Sequence, residues 1–283
     1  MAIENLTMKV DTSISIDSVI LSDENKRKIG DFLNEISARE KLLKYGLQPM
    51  NRLLFYGDSG CGKTYLSKAL SNYLGFEMLY IDIANAITSG SVAENIAEVF
   101  KYANAKGNCI IFLDECDSIA WNRDTDKNSD GGTIRRATNS LFQQMDQMNP
   151  YNIIISATNM LYRLDAAFER RFNQKLEFRR PKEALDNIIY KFLFVDKGFS
   201  IAHDLDVTTK NVVEKKMCTS YYEIQGVVER AMKHAVMNDS LIISETYIYK
   251  KLVEVMDIKV SFKTDKPDME AHTLPRYRDG VAY

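Results

Sequence analysis

This sequence predicts an α/β fold, a parallel sheet of five strands with helices on both faces, followed by a small all-α domain. Three observations carry the prediction. Between Arg52 and Phe178, short apolar runs alternate with longer amphipathic stretches, the order of strand–helix–strand crossover units. The apolar runs, such as those in "CIIFLDE" and "NIIISATN", are continuous rather than alternating, which places both faces of each strand in a core. From Pro181 onward the pattern is helical alone.

In chain order, a charged helical segment, "SDENKRKIGDFLNEISAREKLLKY", precedes the first strand. Ser22 can cap it, and Lys26, Arg27 and Lys28 read as a solvated face. "RLLFY" (52–56) is the first strand and "TYLSKALSNYL" (64–74) the helix after it. "FEMLYIDI" (76–83) is the second strand, and "SVAENIAEVFKYANAK" (91–106) is again helical. The third strand leads through a polar loop, "WNRDTDKNSDGG" (121–132), into the helix "TIRRATNSLFQQMDQM". "NIIISATN" and "KLEF" (175–178) complete the sheet. Helices then follow in "KEALDNIIYKFLF", "TTKNVVEKKMC", "YYEIQGVVERAMKHAVM" and "SETYIYKKLVEVM". The expected organisation is an N-terminal extension (1–21), a large α/β domain (22–180), a helical lid (181–258) and an irregular C-terminal tail (259–283).

Composition excludes several functions. Lys and Arg number 37 against 39 Asp and Glu, a net charge of −2, so no bulk basic field favours nucleic acid or an anionic membrane. No apolar run approaches a membrane span, and "MAIENLTMKVD" lacks the apolar centre of a signal peptide. The cysteines Cys61, Cys109, Cys116 and Cys218 show no paired spacing, and the three histidines are scattered, which argues against zinc. A soluble cytoplasmic protein is expected, because the thiol of Cys61 would be a liability in an oxidising compartment.

The chemistry begins at "FYGDSGCGKTYL" (55–66), where Gly57, Gly62, Lys63 and Thr64 satisfy G-x-x-x-x-G-K-[ST] between a strand and a helix. This is a P-loop, which makes the sheet that of a P-loop NTPase and implies ATP and Mg²⁺. Ser59, Gly60, Cys61, Gly62, Lys63 and Thr64 are the candidate phosphate contacts, with backbone N–H groups and a helix N-terminus favouring negative charge. Asp114 and Glu115 end the third strand. Acids at the end of a strand buried on both faces are costly unless a cation or a reaction needs them. Asp114 with Thr64 would hold Mg²⁺, and Glu115 would orient and deprotonate the attacking water. Asn159 is delivered to the same sheet edge by the fourth strand. Arg170 and Arg171 close a short helix, placed either to complement phosphate charge in a neighbouring molecule or to offset the helix C-terminus. Lys63, Glu115, Asn159, Arg170 and Arg171 are the candidate catalytic residues.

The P-loop, "FLDE", "ATN" and "LDAAFERRF", in that order and followed by a helical lid, resemble the AAA+ ATPases of the classical AAA branch. "LDAAFERRF" is similar to the adjacent-arginine form of katanin- and spastin-like enzymes and several bacterial relatives. "GSVAENIAEVF" (90–100) resembles the family's G-E-S-E-x-N-x-x-x-x-F segment, and "RRATNSLFQQMD" (135–146) resembles the helix after the second pore loop. The resemblance covers about residues 17–256. It implies a nucleotide-dependent ring, usually a hexamer, with each nucleotide clamped between neighbours, and ATP-driven remodelling of a macromolecule.

The sequence departs from that pattern in two places. Threading members carry an aromatic two residues before the glycine equivalent to Gly90; here Thr88 stands there, with Ile87 beside it. The lid segment S-G-A-D-I appears as "SYYEI" (220–224), so Tyr221 and Tyr222 either pack on the nucleotide base or fill the lid core, and no sensor arginine is expected from the lid. Trp121, with Arg123 and Lys127, either touches a substrate at the second pore layer or packs locally. About fifty residues precede the first strand, too few for a separate recognition domain. The expectation is a homo-oligomeric remodeller of one dedicated protein client, without nucleic acid or membrane. One form resembles the bacterial relatives of the HORMA-remodelling ATPases of anti-phage signalling. The alternatives are a protease-associated AAA ATPase and a nucleic-acid motor or loader.

Overall fold

The computed structural model describes residues 14–81, 83, 92–120, 131–181, 185–192 and 198–257. Ile87, Thr88 and Gly90, the loop residues Trp121, Arg123 and Lys127, most of the N-terminal extension and the tail 259–283 lie outside the described residues. The chain divides into two compact units, Met1–Arg179 and Arg180–Tyr283, and each is taken by itself.

The first unit is built on five parallel strands: β1 (Arg52–Gly57), β2 (Glu77–Ile81), β3 (Cys109–Leu113), β4 (Ile153–Thr158) and β5 (Gln174–Phe178). Their order across the sheet is β2-β3-β4-β1-β5. Every residue of β3 and β4 is buried, as continuous apolar runs require in a sheet covered on both faces. Successive side chains of a strand point to opposite faces. Leu54, Leu79, Ile111 and Ile154 join a cluster with Ile96, Phe100 and Leu141. Those three come from helices α4 (Val92–Lys106) and α5 (Gly131–Asp146), each labelled in chain order. Helix α3 (Lys63–Leu74) packs on β2 and β4.

The predicted N-terminal helix is two helices, α1 (Asp23–Ser37) and α2 (Arg39–Lys44). Ser22 caps α1 through the Asn25 N–H. Just past the break at Ala38, the Arg39 guanidinium lies over the rings of Tyr151 and Phe76, at 4.7 and 5.4 Å from their centroids, a cation–π arrangement. Lys28 does not belong to a simple solvated face. Its ammonium donates to the Lys175 carbonyl at 2.9 Å, and Asn25 donates to the Glu177 carbonyl at 2.8 Å, so α1 is tied to β5. A short helix, α6 (Ala166–Glu169), precedes β5.

Asparagine side chains close the N-terminal edge of the sheet. The Asn173 Oδ1 accepts from the N–H groups of Asn51 and Arg52, and Asn51 Nδ2 donates to the Asn152 carbonyl at 3.1 Å. Asn152 Oδ1 accepts from the Cys109 N–H at 3.0 Å while its Nδ2 donates to Asn104 Oδ1 at 3.2 Å. These amides satisfy backbone groups that a strand leaves unpaired at its start, a requirement for any buried N–H.

The second unit corrects the expectation of helices alone. It holds α7 (Leu185–Phe192), β6 (Ser200–Ala202), α8 (Val207–Lys215), α9 (Tyr221–Met237), β7 (Ile242–Ser244) and α10 (Glu245–Met256). The two strands pair in parallel, Ser200 opposite Ile242 and Ala202 opposite Ser244. Each is three residues long, too short for a periodicity to register. An ionic network joins the helices: Lys210 pairs with Asp186 and, at 3.3 Å, with the buried Glu245, and the Tyr249 hydroxyl donates to Asp186 at 3.2 Å. "SYYE" is a capping box for α9. Its backbone and hydroxyl donors, with Arg180 nearby, hold the Glu223 carboxyl below its usual pKa.

Asn152 is wholly buried, so Asn152→Ala leaves the Cys109 N–H without an acceptor. The expected loss is about 1–3 kcal/mol, read as a lower urea midpoint with an unchanged m-value.

Candidate functional site

Strand β1 stops at Gly57 with φ +127°, and a Cβ there would lie 2.0 Å from the Phe178 carbonyl oxygen. Only glycine lets β1 end against β5 in this way. The Asp58 N–H donates to that same oxygen at 3.1 Å, which fixes where the loop departs. The loop then exposes Ser59 and Gly60 and turns Cys61 inward, 3% exposed, its thiol on the Ser59 carbonyl. Gly62, at φ +99°, opens α3. Unpaired N–H groups at that helix start make the loop a concavity for anions.

Lys63 is only 8% exposed. Its ammonium donates to the Gly57 carbonyl (2.7 Å), the Asp58 carbonyl (2.8 Å) and the Asn159 Oδ1 (2.7 Å). Burial lowers its pKa from the ordinary lysine value, although Cys61 and the nearby acids Asp114, Asp58 and Asp117 oppose the shift. The lysine thereby joins the loop after β1 to the end of β4.

Asp114 follows β3 and is held from three sides. Its Oδ2 accepts from the Thr64 hydroxyl at 3.1 Å and the Tyr80 hydroxyl at 3.2 Å, and its Oδ1 from the Glu115 N–H at 3.0 Å. Glu115 is exposed in the left-handed region, φ +50°, a conformation that costs a residue with a side chain about 1–2 kcal/mol. Thr158 accepts from the Met160 N–H and donates to Asp117 Oδ1 at 2.6 Å, tying the end of β4 to the turn after β3. Asn159 is exposed beside it.

A hydroxyl and a carboxylate are the hard oxygen donors that Mg²⁺ takes, with water and phosphate completing its octahedron. Thr64 and Asp114 fit that role. Among the described residues no cluster of three or more His, Cys, Asp or Glu side chains offers a cage made of protein alone.

Residues 53–180 match the family model described as "ATPase family associated with various cellular activities (AAA)". An AAA family ATPase of Sinorhizobium fredii is 34% identical over 188 residues, which are 66% of this chain and 56% of that relative. Residues 53–180 are therefore an AAA domain. The chain spans about half the length of that curated relative.

The AAA domain thus gathers Ser59, Gly60, Gly62, Lys63, Thr64, Asp114, Glu115 and Asn159 at the C-terminal ends of β1, β3 and β4, where parallel sheets bind ligands. The two arginines are unequal. Arg171 is fixed within its own chain: Nε and Nη2 donate to Asp146 at 3.2 and 3.1 Å, Nη1 donates to the Ala167 carbonyl, and the guanidinium lies 4.1 Å from the Phe142 ring centroid. Arg170 is exposed, and its guanidinium makes no hydrogen bond or ion pair among the described residues. Tyr222, in the second unit, is 74% exposed rather than part of a lid core. Tyr80 and Asp117 escaped the sequence reading, because one is a strand aromatic and the other one of several acids in "LDECDS". No helix among the described residues is long and apolar enough to cross a membrane.

Gly57→Ala combines a disfavoured φ with a backbone clash. It is expected to cost about 2–5 kcal/mol, seen as a large drop in the midpoint of thermal unfolding together with loss of nucleotide binding.

Proposed function

We propose that this protein binds and hydrolyses ATP at a site shared between neighbouring copies, and uses the cycle to remodel a dedicated protein client. The observation that carries the proposal is the convergence of Lys63, the Thr64–Asp114 pair and Asn159 on one edge of the sheet. The N–H groups of Ser59 to Lys63 would cradle the phosphates, and Lys63 would exchange its bond to Asn159 for one to a phosphate oxygen. Thr64 and Asp114 would hold Mg²⁺, which supplies charge neutralisation at the phosphates. Glu115, exposed just past β3, is the group to orient and deprotonate the attacking water, with Asn159 as its second contact.

Arg170 completes the site from the neighbouring copy. Its exposure and lack of a side-chain partner among the described residues support that role, whereas the bonds of Arg171 support a different one: holding the end of α6 on α5 so that Arg170 faces outward. This division motivates a homo-oligomeric ring, with a hexamer as the family's usual form. A net charge of −2 favours a protein client over nucleic acid. The likeness to bacterial relatives of HORMA-remodelling ATPases makes a HORMA-type protein the first client to test.

Glu115→Gln should slow phosphate release by about 10²–10⁴-fold while ATP stays bound. The same variant, captured from its host with ATP, should retain one stoichiometric protein; nucleic acid in its place would sink the client reading.

Arg170→Ala should lower turnover by about 10³-fold or more without weakening ATP binding to the subunit. Arg171→Ala should lower the thermal midpoint instead. Full hydrolysis by monomeric Arg170→Ala protein would overturn the shared site.

A further inference from the structure

We infer that Tyr80 is a positioning residue of the metal site, whose hydroxyl sets the orientation of the Asp114 carboxylate toward Thr64. The inference rests on reading the P-loop as a site for a Mg²⁺–nucleotide.

Tyr80 is the next-to-last residue of β2 and lies opposite Phe112 of β3 in the parallel register. The two rings pack at a centroid distance of 5.4 Å with 43° between their planes. That contact uses only the ring, and a phenylalanine would supply it equally. The hydroxyl does something else: it reaches beyond the end of β3 to Asp114 Oδ2, at 3.2 Å. The same oxygen accepts from Thr64 at 3.1 Å.

A carboxylate turns easily about its last torsion, which is broad and two-fold. Asp114 therefore keeps one setting only if its partners hold it. One donor, the Glu115 N–H, belongs to the adjoining residue and turns with the same segment of chain. The second, Thr64, is the other proposed ligand, and its oxygen can offer a lone pair to a cation while its proton remains on Asp114. Tyr80 is thus the donor that comes from a separate strand and is not itself a ligand. It references Asp114 to the sheet. Removing such an outer partner typically weakens metal affinity by about 10–100-fold.

The test is Tyr80→Phe in the full chain, with a fluorescent N-methylanthraniloyl derivative of ADP as probe. Its affinity is measured in EDTA and then across a Mg²⁺ titration. The midpoint of the Mg²⁺ titration should move upward by about 10–100-fold, while affinity in EDTA and the thermal midpoint stay at their wild-type values. A double-mutant cycle with Asp114→Asn separates positioning from general loosening: the shift should disappear in the Asp114→Asn background. An unchanged Mg²⁺ midpoint in Tyr80→Phe, or an undiminished shift in the double variant, overturns the inference while leaving the nucleotide reading intact. A wild-type protein whose probe affinity is indifferent to Mg²⁺ overturns both.

Discussion

A buried ammonium group organises this molecule. Lys63 has its charge in a place that water scarcely reaches, with no carboxylate among its hydrogen-bond partners. Such a group is tolerable only when every N–H finds an oxygen. Two backbone carbonyls and one side-chain amide supply them. The demand runs outward from there. The carbonyls of Gly57 and Asp58 converge on the ammonium because β1 ends tightly against β5, and Asn159 is within reach because β4 lies next to β1 in the sheet. The strand order and the loop are thus two halves of one solution to the burial of a cation.

Around that centre, polar groups divide into those spent on structure and those left available. Arg171 has its donors occupied by Asp146 and Ala167, Glu223 is consumed by the capping box of α9, and Thr158 is fixed by Asp117. Arg170 and Glu115 have exposed side chains, whereas Asn159, though exposed, spends its Oδ1 on Lys63. Adjacent residues of like chemistry can therefore have opposite duties, and only the partner of each side chain tells them apart. The opposite edge of the sheet shows the same economy: amides there are committed to backbone groups, with Asn173 Oδ1 taking two N–H groups at once.

Much of this was legible beforehand. The central strands β3 and β4 could be read because a strand buried on both faces is an unbroken apolar run, and the P-loop because its spacing is dictated by a phosphate. The break at Ala38 was not legible, since no glycine or proline marks it in "EISAREKLL". Nor were β6 and β7, each a triplet stabilised by its partner more than 40 residues away. "SYYEI" drew attention to its tyrosines, but the serine and glutamate beside them do the structural work. Tyr80 looked like an ordinary strand aromatic because sequence patterns report the ring's preference for a sheet and say nothing of where a hydroxyl ends. The inequality of Arg170 and Arg171 was hidden for a related reason: Asp146 is 25 residues from Arg171 in the chain.

The left-handed backbone of Glu115 has an evolutionary side. Glycine or asparagine would sit at this φ more comfortably than glutamate, so the fold itself gains stability whenever this position drifts toward them. Were Glu115 the base proposed above, a duplicated copy no longer selected for hydrolysis would meet no resistance from folding as it lost the acid; it would be rewarded. Under that proposal, inactive subunits that still bind nucleotide are an easy product of this scaffold, and the glutamate at position 115 stands there against the preference of its own backbone.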